Sequence, residues 1–599
     1  MTIAPPEESV SRKPLRLWPG VVIVAIQWLA RFGVPAVAPD SMMIAVLGGL
    51  AGGAALMIWW AFFSRAPRSE RFGGVVLMII ALFATSRFLD VSIATGAQGV
   101  LFVHLATPGL CLAFVVWAAA SRPLAAGLRR LTMAAAILLS VGVWTLVRTG
   151  GFSSNFDNEL MWRWAKSPEE RLLAQVVDEP MAKAPSLAPA LAEPSGEARV
   201  AAEPVAIPTA PVAANTGAVW PAFRGSGGDG VVRGVRLKTD WAASPPVELW
   251  RRPIGPGWSS FAVAGDLLYT QEQRGEDEIV ACYSVTTGKP VWRHRDAARF
   301  WESNAGAGPR GTPALSNGRV YSMGATGIVN ALDARDGAVV WSRNAASDTG
   351  AKRPEWGFSG SPLVVDDAVI VAASGKLAAY ELATGNPRWI GPAGGASYSS
   401  PRLLTIDGVR QVLLVSGVGA TGVALADGAL LWQHLWKGYP IVQPGVIAEG
   451  DILISVTESS GTRRLAVAHG QSGWTVEERW TSNGLKPYFN DFVIQKGHAF
   501  GFDGRLLACI DLADGKRKWK GGRYGQGQLV LLPDQDLLLV MSEDGEIALA
   551  GATSDQFTEL ARRPAIEGKT WNHPVLAGNV LLVRNGEEMA AFRLAVADR

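Results

Sequence analysis

ALDARDGAVVW, residues 331–341, sets the architecture of this chain. An apolar pair leads into a turn that ends in Gly, a short link follows, and the stretch closes on Trp341. The same phrase returns as CYSVTTGKPVW ending at Trp292, AYELATGNPRW at Trp389, GVALADGALLW at Trp432 and ACIDLADGKRKW at Trp519. A looser copy, AVAHGQSGWTVEERW, closes at Trp480. A copy around Leu560 lacks its Trp, and an isolated VELW ends at Trp250 ahead of them all. Strand and turn chemistry repeated about every 43 residues is the signature of a β-propeller.

Cutting after each closing position gives eight units: 253–292, 293–341, 342–389, 390–432, 433–480, 481–519, 520–560 and 561–599. In the second unit, GTPALS, GRVYSMG, GIVNALD and AVVWSR read as four strands. Apolar alternation with Asn-Gly and Asp-Gly turns predicts antiparallel hairpins, and four strands make one blade. The expected fold of 219–599 is therefore an all-β, eight-bladed propeller. The Gly of each turn supplies the positive φ that the outer hairpin needs. Trp250, Trp292, Trp341, Trp389, Trp432, Trp480 and Trp519 are expected to pack between blades as structural residues. VELW has no blade of its own, and the last unit has no such strand. Residues 247–250 are therefore expected to complete the eighth blade and close the ring.

Ahead of the repeats the composition changes. Hydrophobic residues make up 48% of the 599-residue chain and charged residues 18%. Apolar stretches at 15–37, 42–63, 73–93, 98–120 and 131–149 each approach the ~20 residues that cross a bilayer. They predict an α-helical membrane domain of five spans over 1–150, which makes lipid an obligatory partner. Arg12, Lys13, Arg16, Arg65, Arg68, Arg71, Arg122, Arg129 and Arg130 fall in alternate loops. By the positive-inside rule the N-terminus is expected in the cytoplasm, and an odd number of spans puts the propeller outside it. A bacterial inner membrane with a periplasmic propeller follows. A cleavable signal peptide is not expected, because further spans follow the first.

Inside the spans, Gln27, Arg31, Arg87, His104 and Cys111 stand out. Arg31 and Arg87 lie where they can snorkel, and Arg87 can pair with Asp90. His104 reads either as a core histidine or as a quinone or proton site. The run Gly48-Gly49-Leu50-Ala51-Gly52-Gly53 reads as a close helix contact. The connector covers 151–218: an amphipathic stretch at 156–175, expected to lie on the membrane surface with Trp162 and Trp164, then an Ala/Pro-rich linker from about 177 to 218.

Net charge is +3, yet residues 1–176 carry 15 Lys and Arg against 9 Asp and Glu, so the remainder is net negative. No basic stripe stands out in it, and nucleic acid is not an expected partner. Cys282 and Cys509 occupy equivalent strands of separate blades and read as buried thiols. No metal-type Cys/His spacing occurs, so no metal ligand is assigned.

The repeat A-x-D-x-x-T/D-G-x-x-x-W resembles the pyrroloquinoline-quinone (PQQ)-type propeller repeat. That repeat is shared by the quinoprotein alcohol dehydrogenase superfamily and the BamB-like outer-membrane assembly lipoproteins. The opening WPAFRGSGGDG (220–230) and the tail 568–594 look like bacterial PQQ-binding-like propeller proteins. Apolar spans before an exported propeller also resemble membrane-bound glucose dehydrogenase. The resemblance implies the fold and, for a dehydrogenase, PQQ with Ca²⁺ as cofactors. It does not carry function by itself.

In such a fold, the residues leading into each innermost strand line one mouth of the central funnel. Here they include Trp258, Arg310, Glu355, Trp356, Tyr398, Gln443, Asn490, Asp491, Gln526, Trp571, Asn572 and His573, the candidate ligand-binding set. Glu355 and Asp491 are the carboxylates among them, and no catalytic residue is assigned. The adjacent Cys-Cys pair of many quinoprotein alcohol dehydrogenases and a CxxCH haem motif are both absent. Three readings stand: a scaffold in the bacterial envelope that binds protein partners, a membrane quinoprotein dehydrogenase of sugars or alcohols, and a small-molecule sensor that signals through the spans.

Overall fold

The computed structural model describes residues 16–38, 41–153, 158–175, 180–181, 219–456 and 460–597. The chain divides into two compact units, residues 1–165 with 302–306, and the remainder. The linker expected at 177–218 lies outside the described residues apart from Pro180 and Met181.

In the first unit four helical stretches are long and apolar enough to cross a membrane: Trp18–Val37, Ile44–Phe63, Leu101–Ala120 and Ala126–Leu146. This corrects the expected five. The apolar run at 73–93 belongs to a helix, Arg68–Thr85, that carries Arg68, Glu70 and Arg71 in its first turn, and the chain leaves the helix at Ser86. Four crossings return a chain to the side on which it began, so the side of the propeller no longer follows from an odd count.

The helices pack through small residues. A Cβ on Gly48 would meet Ala30, one on Gly52 would meet Gln27, and one on Gly53 would meet Thr107. Gln27 donates to the Gly49 carbonyl across that contact at 2.7 Å. Trp60, Phe114 and Trp117 form the aromatic centre, with ring centroids 4.8–5.9 Å apart. His104 is buried, and neither ring nitrogen has a hydrogen-bond partner. Arg87 does not pair with Asp90 as the sequence suggested. It lies over the Phe83 ring at 5.1 Å, while Asp90 caps the next helix through Ser92 and sits 3.6 Å from Arg163.

The stretch at 156–175 is not one interfacial helix. Asn158–Trp162 is a strand paired with Val147–Phe152, and the Trp162 and Trp164 rings stack at 5.1 Å. A separate seven-residue helix, Pro168–Ala174, starts at a Ser167/Glu170 capping box. That helix belongs to the second unit. Glu169 holds Arg299 at 2.8 Å and accepts the Gly275 amide. Proline and a capping box set a helix start at 167–168, which divides the amphipathic pattern in two.

The second unit is the propeller. Among the described residues, eight antiparallel sheets form the blades, and in the first seven the four blade strands run in sequence order from innermost to outermost. The first is Ala262–Ala264, Leu267–Arg274, Asp277–Ser284 and Pro290–Asp296. The eighth is Val575–Ala577, Val580–Arg584 and Glu588–Arg593, completed by Val247–Pro253 from the start of the domain. The ring thus closes by strand exchange between its two chain ends.

Every outermost strand carries a bulge one step before its closing position. Ala331 faces Trp341 while Leu332 faces Val339, and Ala591 faces Trp250 while Phe592 faces Glu248. The same register puts Ala561, not Leu560, where the seventh blade has lost its Trp. The bulge adds twist and turns the indole toward the next blade. There the Nε1–H donates to a carbonyl: Trp250 to Val285, Trp292 to Ala334, Trp341 to Leu382, Trp389 to Leu425, Trp480 to Leu512 and Trp519 to Thr553, at 2.7–3.1 Å. For Trp250, Trp341, Trp389 and Trp480 the ring lies on the turn glycine of that blade. At Gly385, with φ +74°, a Cβ would stand 2.6 Å from Trp341. Trp432 departs from the pattern. The fifth blade lacks the turn and instead extends a long hairpin, Thr462–Gly470 and Gly473–Ser482, so Trp432 bonds Gln411 of its own blade. Apolar clusters fill the gaps between blades; the largest joins blades seven, eight and one.

One segment was not anticipated as a structural element. Residues 219–232 run across the propeller axis. Val219 and Trp220 pair with the innermost strand of blade one. The Pro221 carbonyl accepts from Leu315 of blade two, and that of Gly228 from Arg402 of blade four. Arg224 donates to the Phe492 carbonyl of blade six, and residues 230–232 bond Leu531 of blade seven. The segment closes one end of the channel.

Candidate functional site

The opposite, loop-bearing end is where the sequence placed its candidate residues, and they sort into two tiers. The lower tier is polar and buried. Its side chains link one blade to the next. The Ser260 amide donates to Thr312, the Thr312 amide to Ser361, the Ser361 amide to Ser400 and the Ser400 amide to Gln443, each at 2.8–2.9 Å. The Gln443 amide then donates to Asp491 at 2.6 Å. Asn490 reaches Gln526 at 3.2 Å, and Asn572 reaches the Gly257 and Ser259 carbonyls at 3.2 and 2.7 Å. A hydrogen bond withheld from a buried polar group costs about 1–3 kcal/mol, so this belt is a structural requirement of the ring.

Two ionisable groups sit at its floor. Asp491 lies 3.5 Å from Arg224 of the axial segment, and both are almost wholly buried. Burial pushes the Asp491 carboxyl up, while Arg224 and the Gln443 amide oppose the shift. His573 bonds the Pro574 carbonyl and packs against Trp220 and Phe223. Burial, with Arg224 nearby, lowers its pKa to about 3, so it is a neutral imidazole near pH 7.

The upper tier is aromatic. Trp258 touches Trp571 at 4.9 Å, Trp571 touches Phe489 at 4.9 Å, and Phe489 touches Tyr488 at 5.4 Å. Tyr488 meets Trp356 at 6.3 Å, and Trp356 meets Tyr398 at 5.0 Å. All but Tyr398 are half-exposed. Trp571 donates its indole N–H to Glu543 at 2.8 Å. Arg310 bonds the Gly308 carbonyl at 3.0 Å and covers Phe300. Glu355 points into solvent at the rim.

Sequence reasoning gathered the mouth residues but missed Arg224, the charge partner of Asp491. Its signal was an Arg directly before the glycine-rich stretch GSGGDG, in a segment otherwise made of apolar and small residues. It also missed Arg584, which is buried and donates to Thr270, Gln271, Gly255 and Gly257 at the closure between blades eight and one.

A bound PQQ would need carboxylate and carbonyl ligands for Ca²⁺ and a flat face to lie on. The residues do not fit. Asp491 is held by Arg224 and Gln443, and Glu543 by Trp571 and the Gln526 amide. Among the described residues no group of three His, Cys, Asp or Glu stands ready for a metal ion. The Trp258 and Trp571 faces are turned on each other, with Phe489 against Trp571 as well.

Residues 276–437 match the protein family described as "Outer membrane protein assembly factor BamB". The chain is 21% identical over 328 residues to the outer membrane protein assembly factor BamB of Yersinia pestis, covering 51% of this chain and 70% of that relative. It is 30% identical over 114 residues to the protein of the same name from Shewanella oneidensis, covering 18% of this chain and 26% of the relative. Among solved structures it is similar to quinohemoprotein alcohol dehydrogenase from Comamonas testosteroni, at 14% identity over 65% of this chain and 82% of that one, with a TM-score of 0.46.

Proposed function

We propose that this chain is a docking scaffold of the bacterial envelope, held at a membrane by its apolar helices, its aromatic mouth receiving another protein, and, on its likeness to outer membrane protein assembly factors and not on the span count, with the propeller facing out of the cytoplasm. One observation carries this reading. The buried polar belt of the mouth, from Ser260 round to Asp491, is committed to bonds between blades, and half-exposed above it is a row of contacting aromatic rings. That is a contact surface, and aromatic residues are the side chains most enriched at protein interfaces. The likeness to outer membrane protein assembly factors supports the same class of work. The dehydrogenase reading is the weaker one, because the carboxylates it would need are already engaged.

A photoreactive phenylalanine analogue at Glu355 of the mouth, compared with one at the exposed Lys516 of an outer turn, tests the proposal in living cells. Discrete protein adducts from position 355 that are absent from 516 are expected. No adduct from 355, or a rise in unfolding temperature with PQQ and Ca²⁺ together, would overturn it. A periplasm-active reporter fused after Arg599 tests the side of the propeller, and an inactive reporter refutes the orientation.

A further inference from the structure

The outer wall of the ring carries one strand unlike the rest. Residues 219–599 hold 39 Lys and Arg against 39 Asp and Glu, so the propeller as a whole is balanced. Seven of the eight outermost strands share that balance, with a net charge between −1 and +1 each. The outermost strand of blade six, Arg517–Arg523, holds Arg517, Lys518, Lys520 and Arg523 with no acid, a net charge of +4. Lys516 precedes it, and all five cations are exposed. This corrects the expectation that no basic stripe stands out.

Neighbouring acids do not cancel the stripe. Asp514 pairs with Lys516 at 2.7 Å. Asp503 is buried and shared by three cations: Lys486 at 3.1 Å, Lys520 at 2.8 Å and Arg517. Asp511 accepts the Ala513 amide of its own turn, and Asp555 lies in the next turn, where Trp519 bonds the Thr553 carbonyl. The five exposed cations with Lys486 and Arg505 outnumber these four acids by three. On the flanking strands, Glu477 is paired with Arg479, Glu478 with Arg463 and Glu559 with Arg562. Charge on an exposed edge keeps strands from pairing with other chains. The remaining edges manage with a net charge no greater than one, so that purpose does not account for four. Like charges set side by side on a sheet are a cost, and an external anion offsets it.

The composition of the stripe selects the occupant. Protein interfaces are depleted in Lys and anchored by aromatic side chains. Here three of the five cations are Lys, the one aromatic, Trp519, is buried, and Gly521 and Gly522 offer no side chain. A row of long cationic side chains without an anchor matches a target that is itself a fluid carpet of charge. Anionic headgroups form such a carpet, and they attract clustered Lys and Arg. Helices long and apolar enough to cross a membrane keep this chain among headgroups. We propose that the outermost strand of blade six binds an anionic phospholipid surface. Lys516, Lys518, Lys520 and Arg523 meet phosphate oxygens there, and Asp503 braces Arg517 and Lys520 from beneath. The surface lies outside the mouth, and the proposal does not depend on what the mouth docks.

The test places the full chain in phosphatidylcholine nanodiscs and floats added vesicles, of phosphatidylcholine alone or with about one-third phosphatidylglycerol. Binding to the anionic vesicles alone is expected, with a steep loss as salt rises. Each cation removed should weaken binding about fivefold, so Lys518→Gln with Lys520→Gln should weaken it about 25-fold. Lys518→Arg with Lys520→Arg keeps the charge and is expected to bind as the unaltered chain does. Arg295→Gln with Arg335→Gln removes the same charge from exposed positions of blades one and two and is expected to change nothing. Equal binding to neutral vesicles, an equal loss in this control pair, or a loss in the arginine pair would overturn the proposal. Displacement by inorganic phosphate beyond that by chloride of equal ionic strength would assign a discrete phosphate site instead. Polyglutamate bound as tightly as the vesicles would assign an acidic protein, and either result refutes the lipid surface.

Discussion

The closing Trp and the turn Gly beneath it form one unit, and the Gly is constrained twice. Gly385 needs φ +74° and also leaves no room for a Cβ against Trp341, whereas Gly408, with φ +76°, has nothing within 4 Å of that position. Gly408→Ala should therefore cost only the left-handed backbone penalty, about 1–2 kcal/mol. Gly385→Ala adds overpacking of roughly 1–3 kcal/mol to that. Denaturant unfolding of the two variants separates the terms, and equal losses would mean that the Trp contact is slack. Glu278 is a second residue with a readable consequence. It is buried, accepts from the Ala325 amide and the Thr326 hydroxyl of blade two, and lies near Asp296. Burial pushes its pKa from the ordinary 4.5 up to about 7. The folded state therefore holds this proton more firmly than the unfolded chain. Stability from this group is fullest below pH 4.5, falls as pH rises toward 7, and is flat above. Glu278→Gln should flatten that part of the unfolding-temperature profile between pH 5 and 7.5, and an unchanged slope would place the titration elsewhere.

The blades were legible because their signal is local and repeated. A Gly turn, a bulge and a Trp recur at fixed offsets, and even the loss of one Trp showed as a gap in the pattern. The fifth blade was legible only as a looser copy, since its extended hairpin replaces the turn that Trp432 would have met. The helix at 68–85 was misjudged for the opposite reason. Hydropathy sums over a window and does not see that three charged side chains begin the helix, or that it ends at Thr85. In the mouth, the residues could be gathered from their places before each innermost strand, but not their work. Whether Gln443 meets a ligand or the Ser400 amide depends on a neighbour 43 positions away. Closure of the ring is a prediction of the same kind, testable on one strand. Trp250 joins the eighth blade to the turn of the first through Val285. Trp250→Ala should cost about 3–5 kcal/mol, as large aromatic truncations do. Hydrogen exchange should rise first in blades eight and one; uniform exchange around the ring would contradict the closure.

Taken whole, the propeller is a ring whose two ends are held by the same stretch of chain. Residues 219–232 bar the channel at one end, and 247–253 finish the last blade. Synthesis delivers both of these pieces first, yet neither can take its place until the strand at Glu588–Arg593 and the innermost strand at Gln528–Leu532 have emerged. The earliest part of the domain is thus the last to be seated, and the domain has no stable halfway product with a finished edge. A ribosome that stalls anywhere in the final blade leaves seven sheets and, at Val247–Pro253, an unpaired strand waiting for a partner, a ready substrate for quality-control proteases. Completion of the chain, more than the stability of any single blade, is the checkpoint this architecture imposes.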